Sequence, residues 1–328
     1  MPSRFDIVTV NWNSGDLLRQ CIGSLPAAVP AAAAAGFALD RLVVVDNASA
    51  DGSSDALDGG PPPTLLKNRE NRGFAAACNQ GAAGSRADYL LFLNPDTRLG
   101  PASLAPALAF LDAPENAGIG ILGIRLVDAD GLCQRSCARA PTPGRLAAQA
   151  VGLDRIWPSR FAPHFMTEWD HADTRPVEQV MGAFLLIRRR LFEELGGFDE
   201  RFFVYFDDVD LCLRARLAGW GVVHFAGASA YHRGCGTTDG VRDLRLFYAL
   251  RSRLLYAGKH FGPGGRALAA AATLLAEPLA RLGFALLSRS AADARAVLRG
   301  TALLWAALPE IVPAMTPGAG RIDRSGPG

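Results

Sequence analysis

Short, unbroken apolar runs alternate in the first half of the chain with segments whose apolar residues recur at helical spacing. FDIVTV (5–10) is a β-branched run. Leu17, Cys21 and Leu25 then recur every fourth residue, one face of a helix for which Ser14 is the predicted N-cap. An alanine-rich linker leads to RLVVVD, a buried strand ending at Asp46, and NASADGSSD supplies a turn and the start of another helix. Pro61 to Pro63 break the chain; TLLKN reads as a weak strand, RGFAAACNQGAA has helical composition and DYLLFLN is a strong strand. Strands and helices in alternation predict an α/β fold with a mostly parallel sheet covered on both faces.

From about residue 120 the alternation is less regular. ILGIRLVDADGLCQRS reads as two strands about the turn Asp128 to Gly131, and VMGAFLLIRR as another strand. DDVDLCLRARLAGW follows as a helix closed by Gly219, and GVVHFA returns as a strand. Beyond residue 240, Arg, Leu and Ala dominate in helical patterns, and the Gly- and Pro-rich tail from Pro317 is expected to be disordered. No internal repeat is present.

At 328 residues the chain is long enough to bury a substantial core. With 34 Lys and Arg against 32 Asp and Glu, its net charge of +2 provides no broad basic field, which argues against nucleic acid as a partner. The six cysteines are scattered, and the Cys133–Cys137 spacing fits neither a zinc ribbon nor a redox pair, so reduced thiols in a cytoplasmic protein are expected. MPSRFDIVTVNW lacks the pattern of a secretory signal. Near the other end, Glu277, Pro278 and Arg281 interrupt ALAAAATLLAEPLARLGFALL short of a clean span, which leaves helices lying on a membrane surface or packed on the core.

Ligands of parallel sheets gather at the carboxyl ends of strands, and here those ends carry Asn11, Asp46 and Asp96. Asp46 suits a ribose hydroxyl or base N–H, and equally a turn beside Asn47, Asp51 and Gly52. The lack of GxGxxG after the first strand counts against a dinucleotide oxidoreductase. Gly73, beside Arg69 and Arg72 at a helix start, offers backbone N–H and guanidinium groups to a diphosphate, or is simply part of a capped surface helix. Asn94-Pro95-Asp96 ends a strand too apolar to be exposed, so Asp96 is expected at the sheet edge, there to meet a metal-bound diphosphate with Asn94 offering a neutral oxygen, a reading favoured over a plain turn nucleated by Pro95.

Downstream, Asp207 and Asp208 open a helix. Capping explains one carboxylate there, and adjacent acids raise each other's proton affinity toward that of a base working near neutral pH. Asp210 is placed to pair with Arg214 one turn later. His232, between a strand and a Gly-rich loop, is a candidate metal or phosphate contact, whereas His224 inside GVVHFA looks structural.

Taken in order, VTVNWNS, VVVDNASADGS, NRGFAAACNQG, LFLNPDT, VMGAFLLIRR, GGFDERFFVYFDDVDLCLRA and YHRGCGTT resemble the family-2 glycosyltransferases of the GT-A fold, rhamnosyltransferase-like branch. The resemblance covers about the first three quarters of the chain. It implies a Rossmann-like, mostly parallel central sheet flanked by helices, with a C-terminal helical extension. Residues 1–115 would form the nucleotide-sugar half, 116–240 the acceptor and catalytic-base half, 241–316 the extension and 317–328 the disordered tail. In the donor site it places Asn11, Asp46, Asn71, Arg72, Gly73 and Asn94. Asp96 looks like the metal-coordinating acid of DxD, His232 like a downstream metal or diphosphate contact, and Asp208 like the catalytic base supported by Asp207. Asn94 replaces the first acid of DxD, and Asp207 the usual Glu.

The implied activity is an inverting, metal-dependent sugar transfer with Mg²⁺ or Mn²⁺. The donor is dTDP-rhamnose or a UDP-hexose, and the acceptor a glycan or lipid-linked glycan in cell-surface polysaccharide synthesis. FYALRSRLLYAGKHFG resembles the region after the catalytic domain in enzymes acting on lipid-linked glycans. A peripheral contact with the inner face of the cytoplasmic membrane and a helical cap packed on the catalytic domain are the two readings of the extension. The alternatives to transfer are a nucleotide-sugar nucleotidyltransferase, against which the absence of a basic Gly-rich loop at the start speaks, and a non-catalytic nucleotide-sugar-binding protein.

Overall fold

The computed structural model describes residues 2–55, 57–234 and 241–315. The tail expected to be disordered, and CGTT of YHRGCGTT, lie outside them. The chain forms two compact units, residues 1–140, 165–200 and 207–240 in the first and 141–164, 201–206 and 241–328 in the second.

The strands of the first unit are β1 (Ser3–Asn11), β2 (Phe37–Asp46), β3 (Thr64–Lys67), β4 (Tyr89–Leu93), β5 (Thr97–Leu99), β6 (Ile119–Val127), β7 (Cys137–Ala138), β8 (Arg175–Pro176), β9 (Gln179–Val180), β10 (Phe184–Arg188) and β11 (Gly221–His232). The main sheet runs in the order β3, β2, β1, β4, β10, β6, β11, β5, with β8 against β11, while β7 and β9 form a separate ladder. Neighbours among β1 to β4 are parallel, as are β6 and β11; β10 is antiparallel to β4 and β6, and β5 to β11.

Two-residue periodicity sends neighbouring strand residues to opposite faces. Ile7, Leu42, Val44 and Leu91 meet Leu18, Ile22 and Leu25 of α1 (Asp16–Ala34) on one side. Val8, Val43, Val45 and Phe92 share the other with Ala77 and Cys78 of α2 (Phe74–Ala82). The first side is completed by α3 (Ala105–Asp112).

Four local expectations change. Ser14 does not cap α1; Gly15 stands at that position without a side-chain cap, because the Ser14 hydroxyl is turned inward to Asn11. The alanine-rich linker is the second half of α1, which continues through Pro26 and Pro30 to Ala34 because Ala28 and Ala32 pack into the core. Residues 47–55 form turns and bends instead of starting a helix, and the strand foreseen after Gly131 is reduced to a single bridge from Val127 to Cys133.

The second unit carries α4 (Pro143–Ala150) and α5 (Leu153–Ile156), while α6 (Arg189–Glu194) and α7 (Asp207–Leu217) belong to the first. Its remaining helices are α8 (Arg242–His260), α9 (Pro263–Ala271), α10 (Glu277–Leu287), α11 (Ala291–Ala306) and α12 (Leu308–Ala314). A π segment, Ala272–Ala276, joins α9 to α10 into one helix of 25 residues, by length and composition able to cross a membrane. Glu277 does not break it. The side chain is buried as an acceptor for Arg253 and, at 2.8 Å, for Arg281, so its charge is met inside the unit.

Candidate active site

The carboxyl end of β1 is fixed first. Asn11 is fully buried, and its amide is shared among Asp46 Oδ1 at 2.7 Å, Ser53 Oγ at 2.8 Å and Ser49 Oγ at 3.0 Å, while its Oδ1 accepts from the Ser14 hydroxyl. Asp46 also accepts the Ser49 N–H. It borders an open pocket of about 400 Å³ with Ala48, Ser49, Gly52, Lys67 and Asn68, a size suited to a small ligand.

A second amide network, not legible in the sequence, joins this pocket to α2. Asn47 donates to the Gly73 carbonyl at 3.0 Å and accepts from Asn68 at 2.9 Å and from the Arg72 N–H at 3.2 Å. Asn68 and Gln80 exchange amide hydrogen bonds at 3.0 Å. Gly73 has φ 86° and ψ 166°, a conformation open essentially to glycine, and its N–H is held by Asn71 Oδ1 at 2.9 Å. Arg72 is exposed. The donor-side candidates other than Asn94, which follows β4, are thus gathered at the ends of β1 and β2 and at the start of α2.

Asp96, nearly buried, lies in the turn from β4 to β5. Thr97 pairs with His232 in the β5 and β11 ladder, and that register brings His232 Nε2 to 3.4 Å from Asp96 Oδ1. The His232 ring is oriented from behind by Gln134, whose Oε1 lies 2.7 Å from Nδ1. A carboxylate oxygen and an imidazole nitrogen so placed fit a hard divalent cation whose other ligands are phosphate oxygens and water. Among the described residues no cluster of three or more His, Cys, Asp or Glu is placed to hold a metal, so Asp96 and His232 would form part of a shell. Asn94, half-buried, is tied through its backbone N–H to the Ala183 carbonyl at 3.1 Å.

Asp208 Oδ2 accepts the Gly182 N–H at 3.0 Å and Oδ1 the Val209 N–H at 2.8 Å. Burial pushes its proton affinity up, against the pull of these two bonds and one from Gln179. Burial, and next the Asp208 charge, raise Asp207 well above the carboxylate range. Asp210 pairs with Arg214 at 2.6 Å as foreseen, and Arg214 also donates to the carbonyls of Leu195 and Gly197. His224 is fully buried, its Nε2 on the His171 carbonyl at 3.1 Å, in keeping with a structural role.

The two acidic elements come together at one peptide step. Gly182 holds Asp208, while the Ala183 carbonyl accepts from the Asn94 N–H and, at 3.3 Å, from the Thr97 hydroxyl, the residues flanking Pro95 and Asp96. A Cβ at Gly182 would lie 3.8 Å from Asp208, ordinary contact, so the position is close to the carboxylate without being cramped. Neither Gly182 nor Gln134 was singled out from the sequence. For Gly182 a signal existed, a small residue just ahead of an apolar strand; for Gln134 there was none.

The model of glycosyl transferase family 2 matches residues 6–196. An N-acetylglucosaminyl-diphospho-decaprenol L-rhamnosyltransferase of Mycobacterium tuberculosis is 32% identical over 282 residues, 80% of this chain and 87% of that protein. Rhamnosyltransferase WbbL of Escherichia coli is 28% identical over 146 residues, 44% of this chain and 52% of its own. Among solved structures, the mannosyltransferase PcManGT of Pyrobaculum calidifontis, in complex with GDP-Man and Mn²⁺, is similar at a TM-score of 0.52 and 18% identity, over 96% of this chain and 88% of that one.

Proposed function

The chain belongs to glycosyl transferase family 2 and has its GT-A fold, and on that footing we propose that it transfers a rhamnosyl group from dTDP-rhamnose, with inversion, to a lipid-linked glycan in the synthesis of a cell-surface polysaccharide. One observation carries the reading: the Asp96 turn and Asp208 are tied to the adjacent residues Ala183 and Gly182. The donor class, the lipid-linked acceptor and the polysaccharide are supported by the names of relatives, which include an O-antigen biosynthesis protein of Myxococcus xanthus, 30% identical over 58% of this chain and 14% of its own.

In this reading Asp46, held by Asn11, meets the nucleoside, and Asn71 and Asn47 hold Gly73 and Arg72 for the diphosphate. Asp96 and His232 would hold Mg²⁺ or Mn²⁺, which when bound supplies positive charge to the diphosphate. Asp208 takes the proton from the acceptor hydroxyl, whose oxygen bonds to the anomeric carbon from the face opposite the departing diphosphate. Its elevated proton affinity suits it to accept that proton near neutral pH. Burial and the neighbouring Asp208 charge push the proton affinity of Asp207 up, which favours its neutral form and so eases the repulsion on the base beside it. We assign residues 1–115 to the donor and 116–240 to the acceptor and base.

The second unit supports peripheral attachment to an anionic membrane surface. Its segments carry 16 Lys and Arg against 6 Asp and Glu, whereas the first unit carries 18 against 26. Leu268, Leu275, Leu279 and Leu286 recur along α9 and α10 at spacings of seven, four and seven, and all are exposed. Beside them, Pro278, Leu282, Leu298, Thr301, Ala302 and Trp305 line an apolar groove between α10 and α11. Basic charge with an exposed apolar stripe is the composition of helices that lie in the plane of a membrane.

The deciding experiment is transfer from dTDP-rhamnose to a prenyl-diphosphate-linked acceptor, with the product anomer assigned by NMR. Asp208→Asn is expected to lower kcat at least a hundredfold while dTDP binding is unchanged. Turnover with a UDP-hexose alone would move the donor, and retained turnover in Asp208→Asn would remove the base from its role.

A further inference from the structure

The chain enters α7, and so reaches Asp207 and Asp208, through two consecutive non-glycine residues in the left-handed region, Tyr205 at φ 65° and Phe206 at φ 64°. That conformation is disfavoured for L-residues and is not found in succession unless something holds it. One face of α8 packs against this segment. Tyr248, Ser252 and Tyr256 stand four residues apart and therefore on the same side of the helix. The fully buried Ser252 hydroxyl donates to the Val204 carbonyl at 2.8 Å. Tyr248 stacks on Phe203 with ring centres 4.6 Å apart, and Tyr256 packs against Phe206 at 5.4 Å. Arg251 donates to the Arg201 carbonyl at 3.0 Å. Residues 201–206 and the α8 residues that anchor them belong to the same unit.

We propose that Ser252 is a positioning residue for sugar transfer, holding the left-handed step at Tyr205 and Phe206 so that Asp208 meets the Gly182 N–H. The inference rests on the assignment of Asp208 as base. Releasing the Val204 carbonyl lets Tyr205 and Phe206 relax toward ordinary dihedrals, and the start of α7 turns with them. Asp208 then loses a bond that stabilises its ionised form, so its proton affinity rises.

Ser252→Ala is the test, in the full chain. Expected are a ten- to hundredfold fall in kcat, in the range set by an ångström of misplacement, with dTDP affinity unchanged and the acid limb of kcat moved to higher pH. Hydrogen exchange at the Gly182 amide should quicken. Adding Tyr205→Gly should restore much of the loss, since glycine takes this φ without strain and needs the clamp less. If Ser252→Ala does not fold, Ser252→Cys keeps the volume with a weaker donor and is read the same way. Unchanged kcat, or a fall in kcat with neither the acid limb nor Gly182 exchange altered, overturns the proposal. Gly182 exchange needs no substrate, so it judges Ser252 even where the transfer assay has gone against Asp208 as base.

Discussion

Gln134 holds His232 at two points: its Oε1 lies 2.7 Å from Nδ1, and its Nε2 donates to the His232 carbonyl at 2.8 Å. Because the amide nitrogen is committed to the carbonyl, the oxygen must face the ring, and Nδ1 is the nitrogen that carries a proton. The ring so pinned presents Nε2 toward Asp96. Gln134→Leu is therefore expected to weaken Mn²⁺ affinity ten- to a hundredfold, measured by calorimetry in the presence of dTDP, and Asp96→Ala to remove the Mn²⁺ dependence of dTDP binding. Equal affinities in all three chains would take Asp96 and His232 out of the metal site.

Asp207 should make the fold less stable at neutral pH than an uncharged residue of its shape. Its folded proton affinity lies above the unfolded value near 3.9, so its contribution to stability is fully present below that pH and is lost as pH rises through the folded value. Asp207→Asn is expected to raise Tm at pH 7 to 8 and to give no gain below about pH 4. A lower Tm at pH 8 would contradict this.

His224 has the opposite sign. Burial depresses its ring to about 4, so the stability it lends is present above the unfolded value of about 6.5 and is lost as pH falls toward 4. The span corresponds to about 3 kcal/mol at most. His224→Gln keeps a donor for the His171 carbonyl and should flatten the melting curve against pH in that window, with little change at pH 7.

Gly81 sets how closely α2 approaches the sheet. A Cβ there would stand 2.4 Å from Val8 Cγ1 and 3.2 Å from Val45 Cγ2. Gly81→Ala is expected to cost about 1–3 kcal/mol by denaturant titration, and to weaken dTDP binding as α2 lifts its first turn away from Asn47.

Full-length protein is expected to sediment with vesicles containing phosphatidylglycerol and to be released by salt. Leu279→Glu with Leu286→Glu should abolish sedimentation without altering Tm, since both side chains are exposed. Resistance of the native membrane-bound chain to alkaline carbonate would instead mark the Pro263–Leu287 helix as spanning.

What the sequence disclosed follows from periodicity and local chemistry. The runs ending at Asp46 and Asn94 were legible because both faces of their strands are buried, and the Asp210–Arg214 pair because it is one helical turn long. The α1 continuation was hidden, since two prolines outweigh alanine composition in a local reading and only packing reverses that. Asn11 was marked for the donor, but that it reaches the site by holding Asp46 depends on Ser49 and Ser53, about 40 positions away. Gln134 and His232 are 98 apart, and nothing in either neighbourhood announces the other.

In the proposed reaction the step from Gly182 to Ala183 would serve both substrates, since its two residues are bonded to Asp208 and to the turn that carries Asp96. A tilt at the entrance to β10 would move together the turn proposed to carry the leaving group and the carboxylate proposed to relieve the incoming alcohol. Distortion of that single peptide would thus blunt recognition of the activated sugar and its discharge at once, a joint failure that damage confined to either strand end would not reproduce.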